Sequence, residues 1–120
     1  MATSRIPCYL MQGTVYVMTI KDQDELRIGV YSTSKQSRET QVRSGIGLDV
    51  EIIWEEKLAS KAHALAVETL AHLYLCEFEQ WQKVGKKTVQ VFHCSKVEAK
   101  DACEKAVKAI SAGLMLAISR

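Results

Sequence analysis

The chain reads as a small α/β (α+β) domain: a mostly antiparallel sheet of three to four strands flanked by helices, in the order ββαβαβα. Three observations predict it. Two short runs rich in β-branched and aromatic residues flank the charged stretch "KDQDE", the pattern of a hairpin. Two longer stretches in the second half carry apolar residues at helical spacing. Two further short runs, "LDVEIIWEE" and "TVQVFHC", have strand composition.

Each element follows from local chemistry. Residues 1–12 form an irregular lead-in. Residues 14–20 alternate as a strand, 21–25 turn, and 26–32 return as its partner. Thr33 or Ser34 caps a helix from about Lys35 to Arg43, with Glu39 in its early turns, and Gly45 and Gly47 in "SGIG" stop it. Residues 48–56 make a third strand with Val50, Ile52 and Trp54 on one face. A long helix runs from about Ser60 to Phe78, with Ala62, Leu65, Ala66, Leu70, Leu73 and Tyr74 on one broad face. "EQWQKVGKK" at 79–87 is a connection with a basic end, and a short fourth strand follows it. Ser95 and Glu98 form a capping box for a last helix that ends near Ser119. That helix is amphipathic through Val97, Ala102, Ala106, Ile110 and Leu114.

A length of 120 residues suits one core, so 1–120 is expected to be a single domain. A chain 48% hydrophobic and 25% charged is globular in type rather than disordered. No run of about 20 apolar residues is present, so no membrane helix is expected. The N-terminal "MATSRIPCYLMQG" does not read as a signal peptide. The cysteines at 8, 76, 94 and 103 form no C-x-x-C pair. Free thiols in a reducing cytoplasm or nucleus are the expectation, and the spacing of Cys76, His93, Cys94 and Cys103 does not match common zinc sites. A net charge of +2 neither demands nor excludes nucleic acid, which depends on local patches.

Several residues carry usable chemistry. The Tyr16 phenol on the first strand can orient or deprotonate a water. Arg27 and Arg38 are permanent cations whose forks match phosphate oxygens. Glu68 lies inside the long helix with His72 four residues on, on the same face. Its carboxylate suits Mg²⁺, which prefers oxygen donors. Lys83, Lys86 and Lys87 form one basic cluster, and Lys35, Arg38 and Arg43 a second; either can contact phosphates. Taken singly, each has an ordinary reading: a packed strand tyrosine, solvated arginines and lysines, an exposed helical pair.

Their order is more specific. The chain resembles the GIY-YIG nuclease superfamily over residues 13–110. "TVY" at 14–16 stands for the first motif and "RIG" at 27–29 for the second. "STSKQSR" then delivers Arg38, and "AVETLAHLYL" places Glu68 in the E-x-x-x-H form of the phage-type branch, which has K-I-G in its second motif. "QVFHCS" and "KVEAKDACEKAV" are similar to that branch's closing strand and helix. Thr14 replaces the first motif's glycine, Arg27 the second's tyrosine, and Gln90 the acidic residue of "EWF"; the late asparagine has no clear counterpart.

The resemblance implies a metal-dependent endonuclease acting on DNA, with RNA as a further substrate. Glu68 would hold Mg²⁺ or Mn²⁺, Arg38 would stabilise the transition state, and Tyr16 would handle the attacking water. A free phenol is too weak an acid to serve as a base at neutral pH, so a neighbouring cation, Arg27, would assist it. Tyr31 and His72 would support these four from behind. Leu114, Met115, Leu116 and Ile118 point several ways on the last helix, so a homodimer through its end is expected. The alternative is a catalytically degenerate nucleic-acid-binding or dimeric interaction module of the same fold.

Overall fold

A computed structural model describes residues 12–21 and 25–118, and from residue 114 onward only the backbone of the last helix. The strands are β1 (Gly13–Ile20), β2 (Leu26–Tyr31), β3 (Val50–Leu58), β4 (Glu79–Val84) and β5 (Lys87–Phe92). The helices are α1 (Lys35–Ile46), α2 (Lys61–Tyr74) and α3 (Lys96–Ile118), with one 3-10 turn at Cys76–Phe78. All strand pairings are antiparallel, and the spatial order is β3-β1-β2-β5-β4.

The α+β class is as expected, but the sheet has five strands rather than three or four, and the order is ββαβαββα. The added strand is β4, inside the stretch read as a connection. It is an edge strand whose residues are mostly half-exposed or exposed, so its sequence lacks the apolar alternation that marks a half-buried strand. Gly85, at φ 59°, turns it back into β5.

Two layers cover the sheet. On one face α1 packs Val42 and Ile46 against Tyr16, Met18, Ile20 and Ile52. On the other, α2 and α3 pack small residues, Ala64, Val67, Ala71, Ala99, Ala102 and Ala106, against Val15, Val17, Ile28 and Phe92. Small residues are needed because α2 comes close: a Cβ on Gly13 would lie 2.9 Å from both Ala64 Cβ and Lys61 Cα. The expected α2 face was therefore misplaced, since Ala62, Leu65 and Leu73 are exposed. Val97 on α3 is exposed as well.

Trp54 also departs from expectation. The β1–β3 register shifts between Val17 and Met18, a bulge at Ile53. Val50 and Ile52 stay on the α1 face, while Ile53 and Trp54 pack on the α2 and α3 side. Glu39 fastens the spot, its Oε2 accepting from the Ile52 N–H at 2.8 Å.

Helix ends follow their caps. Ser34 accepts from the Ser37 N–H, and Gly47, at φ 77°, closes α1 three residues later than expected. Ser60 caps α2 through the His63 N–H. The Ser95–Glu98 capping box is formed in both directions. The expected dimer contact at Leu114, Met115, Leu116 and Ile118 concerns side chains outside the described residues, as do the lead-in before Gln12 and most of the 21–25 turn. Among the described residues, no helix is long and apolar enough to cross a membrane.

Candidate active site

Tyr16 stands mid-strand on β1, opposite Gly29 of β2, on the face that α1 covers. It is 1% exposed, so its ring has one well-defined place. That place lies over Gly29: a Cβ there would be 2.5 Å from the Tyr16 hydroxyl oxygen and 2.7 Å from Cζ. The missing side chain lets the phenol cross β2 and meet α1. Because α1 starts at the Ser34 cap directly after β2, Arg38 falls one turn into it. Arg38 Nε donates to the Tyr16 oxygen at 2.9 Å, and its guanidinium carbon lies 5.6 Å from the ring centroid, within cation–π range.

Gly29→Ala is therefore expected to push the Tyr16 hydroxyl off Arg38. Overpacking of this kind costs about 1–3 kcal/mol, read as a lower melting temperature. Any activity that depends on the Tyr16 hydroxyl should fall with it.

Arg27 occupies the same face, diagonal to Tyr16, with Met18 as its direct cross-strand partner. Burial depresses its pKa; the Tyr16 phenol draws it back up, and the Arg38 charge pushes it down again. Among the described residues, neither Arg27 nor Arg38 forms an ion pair.

Glu68 and His72 arrive from α2, on the other side of the sheet. The sheet is open beside them. β2 and β5 meet at one pair, Leu26 with Phe92, and beyond it they diverge. His72 fills part of the gap: its Nε2 donates to the Ile28 carbonyl at 3.0 Å, and its ring lies 5.0 Å from that of Phe92. The backbone acceptor fixes the tautomer with the proton on Nε2. One helical turn earlier, Glu68 is half-buried. Burial pushes its pKa above the usual carboxylate range, while His72 and then Arg38 pull it down. Arg38 is thus the junction, bonded to Tyr16 and electrostatically coupled to both Arg27 and Glu68.

Tyr31 is turned elsewhere. Its hydroxyl donates to Glu55 of β3, and burial, then the Glu55 bond and charge, push its pKa up to about 12. Its ring lies 5.9 Å from that of Tyr16, so it buttresses that ring and is no acid or base at neutral pH.

Beside this cluster a cleft of about 410 Å³ opens between α1 and the β4–β5 hairpin. Its lining includes Arg27, Arg38, Lys87, Gln41, Gln90 and Trp81, with no carboxylate. The hairpin is fastened to α1 at its tip: the Lys86 N–H donates to the Ile46 carbonyl at 2.8 Å. A Cβ on Gly85 would lie 1.9 Å from that same oxygen, so no other residue fits. Lys87 Nζ lies 3.4 Å from where a Gly45 Cβ would stand.

Of the two basic clusters nominated from sequence, only Arg38 and Lys87 line this cleft, beside Arg27. Arg43 clips α1 to β3 instead, through Asp49 at 2.6 Å and the Val50 carbonyl at 3.2 Å. Lys35, Lys83 and Lys86 are exposed beyond the cleft. Sequence reasoning missed Trp81, Gln41 and Glu55. For Trp81 a signal existed: a tryptophan in an otherwise polar stretch, which the structure leaves 67% exposed.

Among the described residues, no group of three or more His, Cys, Asp or Glu could hold a metal ion. Glu68 fits Mg²⁺ or Mn²⁺ in another way. It is a half-buried oxygen donor that accepts no hydrogen bond among the described residues, and Mg²⁺ takes one or two carboxylates and completes its shell with water and substrate phosphate. Cys76, Cys94 and Cys103 are free, and burial raises the pKa of Cys94 to about 11 and that of Cys103 to about 12, so those two stay protonated thiols. No family model, curated protein or solved structure matches the chain.

Proposed function

We propose that the protein is a GIY-YIG-type, metal-dependent endonuclease hydrolysing phosphodiester bonds of DNA. One observation carries the reading: Arg38, bonded to Tyr16 and with a charge that lowers the Glu68 pKa, lines a cleft whose walls carry cations and no carboxylate. Two unpaired arginines beside a buried phenol are an expensive arrangement in a fold of this size, and an anion relieves it.

The roles follow from the contacts. A phosphate entering the cleft meets Arg27 and the terminal nitrogens of Arg38, because only Arg38 Nε is taken by Tyr16. These cations oppose the charge that builds on the phosphoryl oxygens as water attacks. Tyr16 accepts from Arg38, so its own O–H remains to hold the attacking water in line. His72 fixes the α2 turn that carries Glu68 by anchoring it to Ile28. Mg²⁺ or Mn²⁺ at Glu68 would supply Lewis-acid stabilisation of a phosphate oxygen and of the leaving oxygen. The outcome is a new P–O bond from water and a broken ester P–O bond, with the proton passing to the leaving oxygen.

A second reading is favoured by Arg27, which stands where the resembled family has tyrosine: nucleic-acid binding without cleavage. The proposal also includes action in the cytoplasm or nucleus, and self-association through the end of α3. The test is nicking of supercoiled plasmid with Mg²⁺, with Mn²⁺ and with EDTA. Nicking in either metal and none in EDTA is the expected result. Intact plasmid in all three, with salt-sensitive binding retained, replaces the nuclease by the binder.

A further inference from the structure

We infer that the cleft between α1 and the β4–β5 hairpin takes an unpaired stretch of nucleic acid, with one base stacked on Trp81 and its flanking phosphates on Lys87, Arg27 and Arg38. This deepens the phosphodiester reading and rests on it for the position of the scissile bond.

Three observations converge. The first is Trp81. It is 67% exposed on an edge strand, yet it lines the cleft together with its cross-strand partner Gln90. A large aromatic left in water beside three cations has no packing role, whereas every nucleobase offers a face to stack on it. The second is charge. Arg27, Arg38 and Lys87 face a space with no lining carboxylate, and Lys87 reaches over Gly45 of α1. The third is shape. The cleft lies where β2 and β5 diverge beyond Leu26–Phe92, and it is about 410 Å³. Clefts of about 300–1,000 Å³ are the size that takes a small ligand, and a nucleotide swung out of a stack is a ligand of that size.

The cleft walls supply matching polar groups. Gln90 donates its amide to Glu79, and its carbonyl oxygen has no hydrogen bond among the described residues. Gln41 is exposed on α1. Both are amides, which accept and donate without discriminating strongly among bases. The expected preference is therefore for structure, an unpaired or frayed segment, rather than for sequence.

The test uses the full chain carrying Glu68→Gln, so that substrate survives, and two probes: a short single-stranded oligothymidylate and a blunt duplex of equal length. The single strand is expected to bind at least tenfold more tightly. Trp81→Ala should remove about 5- to 100-fold of that affinity, the range of one lost stacking contact, while leaving the duplex little changed. Lys87→Gln should lower the salt dependence of single-strand binding by about one phosphate contact. Equal affinity for both probes, or single-strand affinity unmoved by Trp81→Ala, overturns the inference. If Trp81→Ala instead turns a dimer into a monomer, the exposed tryptophan belongs to an interface between copies. Nicking of plasmid together with failure of this test leaves the nuclease standing and removes only the unpaired-base site. Single-strand binding without nicking by the parent protein does the reverse.

Discussion

Glu68→Gln is expected to abolish metal-dependent cleavage, by about 10³-fold or more, without lowering the stability of the fold. The amide has the shape of the carboxylate and cannot hold a hard cation. Its effect on stability follows from the direction of the Glu68 pKa, which burial raises above the ordinary range despite His72 and Arg38. A carboxyl whose folded pKa is raised favours the folded state in its neutral form. That contribution is complete at pH values below the unfolded pKa and is lost as pH rises through the folded value. The parent and Glu68→Gln should therefore melt alike in acid, where both side chains are neutral. Above the ordinary carboxylate range the variant should become the more stable of the two. Adding Mg²⁺ or Mn²⁺ should raise the melting temperature of the parent alone. A variant that still cleaves, or one that gains the same metal stabilisation as the parent, places the metal elsewhere.

What could be read from the sequence was whatever one local period encodes. The β1–β2 hairpin alternates cleanly because one face meets α2 and α3 and the other meets α1, and its ends were expected within one residue of where they are. The caps at Ser34 and Ser95 are chemistry of three or four residues, and both formed. What escaped depends on distant parts of the chain. Trp54 changes face because a bulge at Ile53 is held by Glu39 of α1, and no count along β3 can see it. α2 is apolar nearly all round, so its inward face was settled by how closely it approaches Gly13, not by its own pattern. β4 has no inward apolar row because it closes the edge of the sheet.

The candidate site divides the same way. Tyr16, Arg27, Arg38 and Glu68 were nominated by their order; in the folded chain Arg38 bonds Tyr16, and its charge lowers the pKa values of Arg27 and Glu68. The reason they can meet was not legible. α1 and α2 lie on opposite faces, and the sheet between them is open where β5 leaves β2 after a single pair. The cleft that follows, with Trp81 on its wall, is a consequence of that divergence. Its cations come from β2, α1 and β5.

Arg38→Ala should cost about 10²–10³-fold in cleavage rate while moving stability by less than the loss of a charged hydrogen bond would suggest. Breaking such a bond costs about 1.5–3 kcal/mol in isolation. Here the same change removes a cation that presses on Arg27, whose pKa should climb back toward its usual value. The two effects oppose each other, so thermal melts should differ little. A second consequence separates Arg38 from a residue that only supports the fold. Its charge helps to lower the Glu68 pKa, so its removal lets that pKa rise further. Metal binding and residual cleavage in Arg38→Ala should then need a higher pH, with the acid limb of the pH–rate profile shifted upward. Arg38→Lys keeps the charge but loses the Nε contact to Tyr16. It should leave the acid limb close to that of the parent and still cleave slowly, because a lysine ammonium cannot hold the Tyr16 hydroxyl and grip a phosphate with one planar fork. If alanine and lysine variants share one shifted profile, Arg38 is not the link between Tyr16 and Glu68. If neither variant loses activity, the converged cluster is structural and the nuclease reading falls with it.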